Sequence, residues 1–280
     1  MTAPLTPGEV ERGYNNREAV PDHARYLAEC ATRSVAAREA FAPARNVRYG
    51  PNAGEVMDIF VPSGKVRGTF VFLHGGYWRA LSKDDYSYVA GPMLAEGIAC
   101  AVVDYDLAPR VTVGTIVDEC RRALAFVAQE GARHGLDAGN VVVAGHSAGG
   151  HLAAMMAATD WTAAGLSRPP LRGALSLSGV HDLTPLVHFS YNVDLKLDAA
   201  QTAALSPAFM PSRDVPLLLA CGGAETSEFL RQSELMWNAW PAQRLPAAGP
   251  LFIAGKHHFD VVLDHAHRDS ELTRATLSLF

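Results

Sequence analysis

VVVAGHSAGGHL, residues 141–152, decides how the rest of the chain is read. It opens on an unbroken, β-branched apolar run, the pattern of a strand buried on both faces. Through Gly145-His146-Ser147-Ala148-Gly149 it passes into AGGHLAAMMAA (148–158), apolar all round as a buried helix is. A strand that turns this sharply into a helix needs small residues at the turn, and a serine there stands with its hydroxyl above the sheet edge. The helix N-terminus adds aligned N–H groups that favour a developing anion. The letters G-x-S-x-G alone would recur by chance in roughly one such chain in ten, so the flanking strand and helix carry the weight. Without partners for its hydroxyl, Ser147 would be no more than a helix cap.

Further runs of strand length lie on either side: TFVFLH (69–74), IACAVVDY (98–105), LRGALSLSG (171–179), VPLLLACGG (215–223) and PLFIAG (250–255). Between them Ile116, Val117, Cys120, Leu124 and Val127 recur at helical spacing. This alternation predicts an α/β fold with a mostly parallel, doubly wound sheet, right-handed crossovers and a ligand site at the carboxyl ends of the strands. Upstream, RNVRY and EVMDIFV separated by PNAG read as a hairpin. Residues 22–41 set Leu27, Cys30, Ala31 and Val35 on one stripe of an amphipathic helix. The expectation is one domain over residues 1–280, with 1–45 as an N-terminal helical arm. The arm either covers the site or pairs with a second copy in a homodimer, and the sequence does not choose.

The chain has 280 residues and a formal charge of −5 with mixed signs, so there is no basic stripe for nucleic acid and no polybasic arm for a membrane. Cys30, Cys100, Cys120 and Cys221 lack any C-x-x-C spacing, which argues against a zinc cage or a disulfide framework. The N-terminus carries no apolar signal core, and a cytoplasmic setting is expected.

A nucleophilic serine needs a base and an acid that orients it. PLFIAGKHHFD follows the last strand and offers His257 and His258, of which only one can reach Ser147 because neighbouring residues point apart. Glu225 lies just past the Gly-Gly turn that ends VPLLLACGG, and Asp182, in SGVHDL, is the rival acid. The order Ser147, Glu225, His258 is that of an α/β-hydrolase. Glu225 could equally serve only as an N-terminal charge for the helix that follows. HHFDVVLDHAHRD is rich in His and Asp, but no ligand spacing such as H-E-x-x-H appears, so it reads as a polar C-terminal helix face and no metal is expected.

Acyl transfer also needs N–H donors aimed at the tetrahedral oxygen. Ala148 supplies one by following the nucleophile, and the loop after strand 69–74, where esterases carry H-G-G-G, should supply the other. That loop here is His74-Gly75-Gly76-Tyr77-Trp78, so Gly75, Gly76, Tyr77 and Ala148 are the candidate oxyanion donors. Aromatic bulk at Tyr77 and Trp78 would limit the acyl side to small groups, with core packing the other role open to Trp78.

H-G-G-x-W in place of H-G-G-G resembles the arylformamidases (kynurenine formamidases) and their bacterial esterase relatives. The likeness extends to YNNR (14–17), DYDLAP (104–109), GHSAGGHLAA (145–154), ETSEFLRQS (225–233) and HHFD (257–260), and so covers nearly the whole chain. The resemblance implies Ser147 as nucleophile, His258 as base and an acid at position 225. The family usually carries Asp there, and this chain carries Glu, the longer acid. It also implies no metal, no organic cofactor, and a small-molecule ester or amide as the partner. The expected reaction is hydrolysis of N-formylkynurenine or a related aryl formamide. The alternatives are a carboxylesterase or amidase for small or xenobiotic substrates, and a non-catalytic binding protein on the same fold.

Overall fold

The structure, a computed structural model, describes residues 5–280. The hairpin is present as β1 (Ala44–Arg48) and β2 (Val56–Phe60), paired antiparallel. Then come β3 (Gly68–Leu73), β4 (Ile98–Val103), β5 (Val141–His146), β6 (Gly173–Leu177), β7 (Leu217–Gly222), β8 (Arg244–Leu245) and β9 (Leu251–Ile253). Among the described residues they form one sheet in the order β1-β2-β4-β3-β5-β6-β7-β8, with β9 also on β7. β2 meets β4 antiparallel, and every pairing from β4 onward is parallel. This is the α/β-hydrolase fold.

Every residue of β3, β4, β5, β6 and β7 is buried, which is why these runs are apolar without alternation. The pleat still sorts their side chains to two faces. Val71, Leu73, Ala101, Val103, Val141 and Val143 pack with Val117 and Leu124 of the helix Val113–Glu130 and Leu152 of the helix Ala148–Ala158. Phe70, Phe72, Cys100, Val102, Val142 and Ala144 pack on the other side with Val89, Met93 and Leu272. β3 is flanked by β4 on one side and β5 on the other. The chain thus departs from β3 in both directions, which opens a crevice outside the carboxyl ends of β3 and β5. The loop HGGYW follows β3, and Ser147 follows β5.

Two expectations need correction. PLFIAG contributes only half of the edge: β8 and β9 pair with successive parts of β7, and a two-residue strand such as β8 leaves no run to read. HHFDVVLDHAHRD is not a polar helix face either. It holds a 3-10 turn, Val262–Ala266, with His265 fully buried at 5.9 and 6.1 Å from the rings of Phe70 and Phe72. The apolar spacing of Val261, Val262 and Leu263 carries His265 into the core with them.

Among the described residues no helix is long and apolar enough to cross a membrane. Burial, which penalises the charged form, holds three histidines low: His151 at about 4, His181 at about 3 and His265 at about 3. Each takes up a proton on unfolding at pH values below the ordinary histidine value of about 6.5. Stability therefore rises with pH across that window and is lost on acidification, each residue contributing up to about 1.4 kcal/mol per pH unit. Guanidinium denaturation at pH 7 and pH 5 should show a clear fall in the midpoint at pH 5. An unchanged midpoint would mean that these imidazoles are not buried and neutral.

Candidate active site

Ser147 follows β5 with φ 58° and ψ −117°, a conformation that costs a non-glycine residue about 1–3 kcal/mol. Its amide donates to the Leu177 carbonyl at 2.9 Å, and its own carbonyl accepts the His151 amide at 3.0 Å. The flanking glycines are dictated by space. A Cβ on Gly145 would lie 2.1 Å from the Gly149 carbonyl oxygen, and a Cβ on Gly149 would lie 2.0 Å from that of Leu73. Backbone cannot yield as a side-chain tip can, so Gly149→Ala should cost at least about 3 kcal/mol. Thermal denaturation reads this directly, and a variant of parental stability would show that the turn is not packed against β3.

His258 and Glu225 come together at the carboxyl ends of β7 and β9. His258 Nδ1 lies 2.6 Å from Glu225 Oε2, with side-chain exposures of 6% and 0%. Glu225 Oε1 accepts from Ser178 Oγ at 2.5 Å and from the Gly222 amide at 2.9 Å. Burial by itself would push this carboxyl up, but the His258 charge, the His258 and Ser178 hydrogen bonds and the Gly222 N–H together pull it below the ordinary value. Glu225 is therefore an ionised, fully paired acceptor. With Nδ1 donating to it, His258 presents Nε2 as its free nitrogen. The longer glutamate side chain is accommodated because the Gly222 amide, three residues back, binds it.

The rivals are engaged elsewhere. Asp182 Oδ1 accepts the Thr184 amide at 2.9 Å, within its own loop. His257 Nδ1 accepts the amides of Phe259 and Asp260 at 3.2 and 3.3 Å, closing a local turn.

Ser147 and His258 line one cavity together with Gly76, Tyr77 and His146. Ser147 Oγ has no hydrogen bond to His258 among the described residues, and both side chains face the same cavity. The HGGYW loop holds three successive left-handed residues: Gly76 (φ 107°), Tyr77 (φ 51°) and Trp78 (φ 56°). The amides of Gly76 and Tyr77 in this turn, and that of Ala148 at the start of the helix Ala148–Ala158, have no hydrogen-bond acceptor among the described residues. Such amides are free to donate to an oxygen brought into the cavity. Gly75 is needed for approach, since a Cβ there would come within 3.3 Å of Ser147 Cβ, while its amide faces the Tyr86 phenol. His74 anchors the loop by stacking on Tyr105 at 4.1 Å, and the Tyr105 hydroxyl donates to its carbonyl at 2.7 Å.

Tyr77 and Trp78 part company. Tyr77 lines the cavity, and its hydroxyl donates to the Tyr14 carbonyl of the arm at 2.5 Å. Trp78 does not line it. It is fully buried, edge-on to His151 at 5.0 Å, so of the two roles open to it from the sequence it takes core packing, of the loop onto the helix Ala148–Ala158. The two rings nonetheless stay edge-on to each other, 6.1 Å apart, so Tyr77 packs on the buried Trp78.

Two contributors were not legible as site residues, and a third is left open by the sequence between covering the site and pairing with a second copy. Ser178 supports the acid from the end of β6, and nothing in SLSG marks it out. His146, inside the serine motif, lies with its ring 4.7 Å from that of His258; burial first, and the His258 charge second, keep it well below its ordinary value and neutral. The third is the arm. Thr226 Oγ1 donates to the Gly13 carbonyl at 2.6 Å, Tyr14 OH donates to Glu228 Oε2 at 2.9 Å, and Asn15, Asn16 and Arg17 line the cavity. No group of three or more His, Cys, Asp or Glu among the described residues is arranged to hold a metal ion.

The chain is similar to proteins of known kind. The family described as BD-FAE matches residues 57–185. The kynurenine formamidase of Salmo salar is 29% identical over 242 residues, which are 84% of this chain and 81% of that protein. The carboxylesterase NlhH of Mycobacterium tuberculosis is 33% identical over 167 residues, 56% of this chain and 51% of its own. Among solved structures, a putative thioesterase from Silicibacter sp. TM1040 superposes with a TM-score of 0.86 at 32% identity, over 96% of this chain and 99% of that one.

Proposed function

The chain belongs to the α/β-hydrolases, in the group it shares with the kynurenine formamidases, and on that footing we propose that it is a serine hydrolase cleaving N-formylkynurenine or a related aryl formamide. The observation that carries this reading is the single cavity shared by Ser147, His258 and the unpaired amides of Gly76 and Tyr77.

Ser147 Oγ attacks the formyl carbon while His258 Nε2 takes its proton, and Glu225, bound to Nδ1, stabilises the imidazolium that forms. The carbonyl oxygen, now an oxyanion, is held by the N–H groups of Gly76, Tyr77 and Ala148, the term that contributes most to acyl-transfer catalysis. His258 then protonates the aryl nitrogen, the C–N bond breaks and the amine leaves. Water attacks the formyl ester on Ser147, giving its proton to His258, and formate departs as Ser147 is reprotonated. His146, kept neutral beside His258, adds no second positive charge when the imidazolium forms.

The similarity to a carboxylesterase supports a second reading, hydrolysis of small esters by the same steps. Measuring kcat/KM for N-formylkynurenine and for p-nitrophenyl acetate separates the two. Turnover of the formamide with kcat/KM of about 10⁴ M⁻¹s⁻¹ or more is expected of the proposed function. Turnover of the ester alone would remove the formamidase assignment and leave the serine mechanism.

A further inference from the structure

The helix Pro7–Tyr14 of the arm ends against both halves of the catalytic apparatus. The last carbonyls of a helix have no partner inside it and must take donors from elsewhere. Two of them here take side chains from the site. The Tyr77 hydroxyl donates to the Tyr14 carbonyl at 2.5 Å, and Thr226 Oγ1 donates to the Gly13 carbonyl at 2.6 Å. Tyr77 supplies an oxyanion amide in the steps above, and Thr226 follows Glu225 in the chain. The helix end is itself fixed. Tyr14 is fully buried, and its hydroxyl donates to Glu228 Oε2 at 2.9 Å and accepts from Gln232 Nε2 at 2.7 Å and Arg231 Nη2 at 3.2 Å. A Cβ on Gly13 would lie 2.4 Å from Glu228 Cγ, so the arm sits close on the helix Ser227–Ala239. The Tyr14 ring packs on Phe229 at 6.0 Å, and the Phe229 ring packs on His258 at 4.5 Å.

Tyr77 needs such an anchor. Its φ of 51° and the 56° of Trp78 each cost about 1–3 kcal/mol, and such angles persist only where the surroundings hold them. Trp78 is held from the core: its ring is buried against His151, and its carbonyl accepts the Ala108 amide at 2.9 Å. At Tyr77 the amide is free, and the bond to Tyr14 is the one hydrogen bond of the side chain among the described residues. Its other neighbours, the rings of Phe189 at 5.2 Å and Tyr191 at 5.4 Å, confine the phenol without fixing a direction for its hydroxyl. The aim of the Tyr77 amide therefore depends on where the arm places the Tyr14 carbonyl.

We propose that Tyr14 is a positioning residue for the reaction: its carbonyl sets the Tyr77 amide at the oxyanion, and its hydroxyl and ring hold that amide at a fixed spacing from the acid and the base. The arm is then part of the catalytic apparatus and not only a cover over it. This rests on reading the cavity as the hydrolytic site.

The test pairs turnover of p-nitrophenyl acetate with inhibition by trifluoroacetophenone, a ketone that forms a tetrahedral adduct on a reactive serine. Tyr77→Phe keeps the ring and removes only the bond to Tyr14. It should lower kcat about ten- to hundredfold, less than outright loss of an oxyanion donor, with KM within about twofold. Affinity for the ketone should fall by the same factor as kcat/KM, which a merely structural role would not produce. The denaturation midpoint should stay within about 4 °C of the parent. Tyr14→Phe keeps the carbonyl but releases it from Glu228, Gln232 and Arg231, and it should lower kcat in the same sense. In the double variant the two losses should combine to less than their product, because both act through one link. If Tyr14→Phe does not fold, the matched fall of kcat/KM and ketone affinity in Tyr77→Phe decides alone. Parental kcat in Tyr77→Phe, a loss confined to KM, or losses that multiply would overturn the positioning role. A parent protein that neither turns over the ester nor binds the ketone would overturn the hydrolytic reading, and the positioning role with it.

Discussion

Ser147→Ala should lower kcat for an aryl formamide or ester by about five to six orders of magnitude while leaving the protein folded. The loss is large because the hydroxyl forms the covalent intermediate, so the variant keeps only what binding and the amides of Gly76, Tyr77 and Ala148 can supply. Fold retention follows from the same geometry. Ser147 Oγ makes no hydrogen bond among the described residues, and alanine meets the same backbone strain at φ 58°. A denaturation midpoint within about 2 °C of the parent is expected, since surface-like loss of one unbonded hydroxyl is worth little. A folded variant that loses less than a hundredfold would remove Ser147 from the role of nucleophile.

Glu225→Gln should lower kcat by about 10⁴. The reason lies in which atoms can give way. Glu225 Oε1 accepts from the Gly222 amide and from Ser178 Oγ, and Oε2 faces His258 Nδ1. A backbone N–H cannot reverse its sense, so the glutamine oxygen stays at Gly222 and its NH2 group turns to His258. Nδ1 must then accept, the proton moves to Nε2, and the nitrogen that should take the Ser147 proton is already occupied. Asp182→Asn is the matching control, because Asp182 binds only within its own loop; it should retain near-parental kcat. If Asp182→Asn proved the damaging change and Glu225→Gln the silent one, the acid would have been misassigned.

The fold could be read because burial on both faces writes itself into composition: β3 to β7 are apolar but for Thr69, His146 and Ser176, and the punctuation between them is Gly, Pro and Asn. The placement of Ser147, Gly75, Gly76 and Tyr77 followed from that frame, since the ends of adjacent strands converge whatever the loops do. Side-chain direction was less accessible. Tyr77 and Trp78 are neighbours of similar bulk, and only the left-handed φ values of the loop separate a cavity wall from a core wedge. Similarly, His265 looks polar in a His-rich run, and its burial depends on contacts with Phe70 and Phe72 nearly two hundred residues away. Ser178 was out of reach for a related reason: it matters through one contact with a distant segment, and no local pattern encodes that.

The central claim is that Ser147 is an activated nucleophile, and a fluorophosphonate tests it most directly. Incubation with the probe, followed by intact-mass measurement and peptide mapping, should give one phosphonyl adduct per chain, on Ser147. That adduct should be absent from Ser147→Ala and form much more slowly in Glu225→Gln. Folded protein that takes up no probe, or an adduct whose yield is unchanged in Ser147→Ala, would contradict the account.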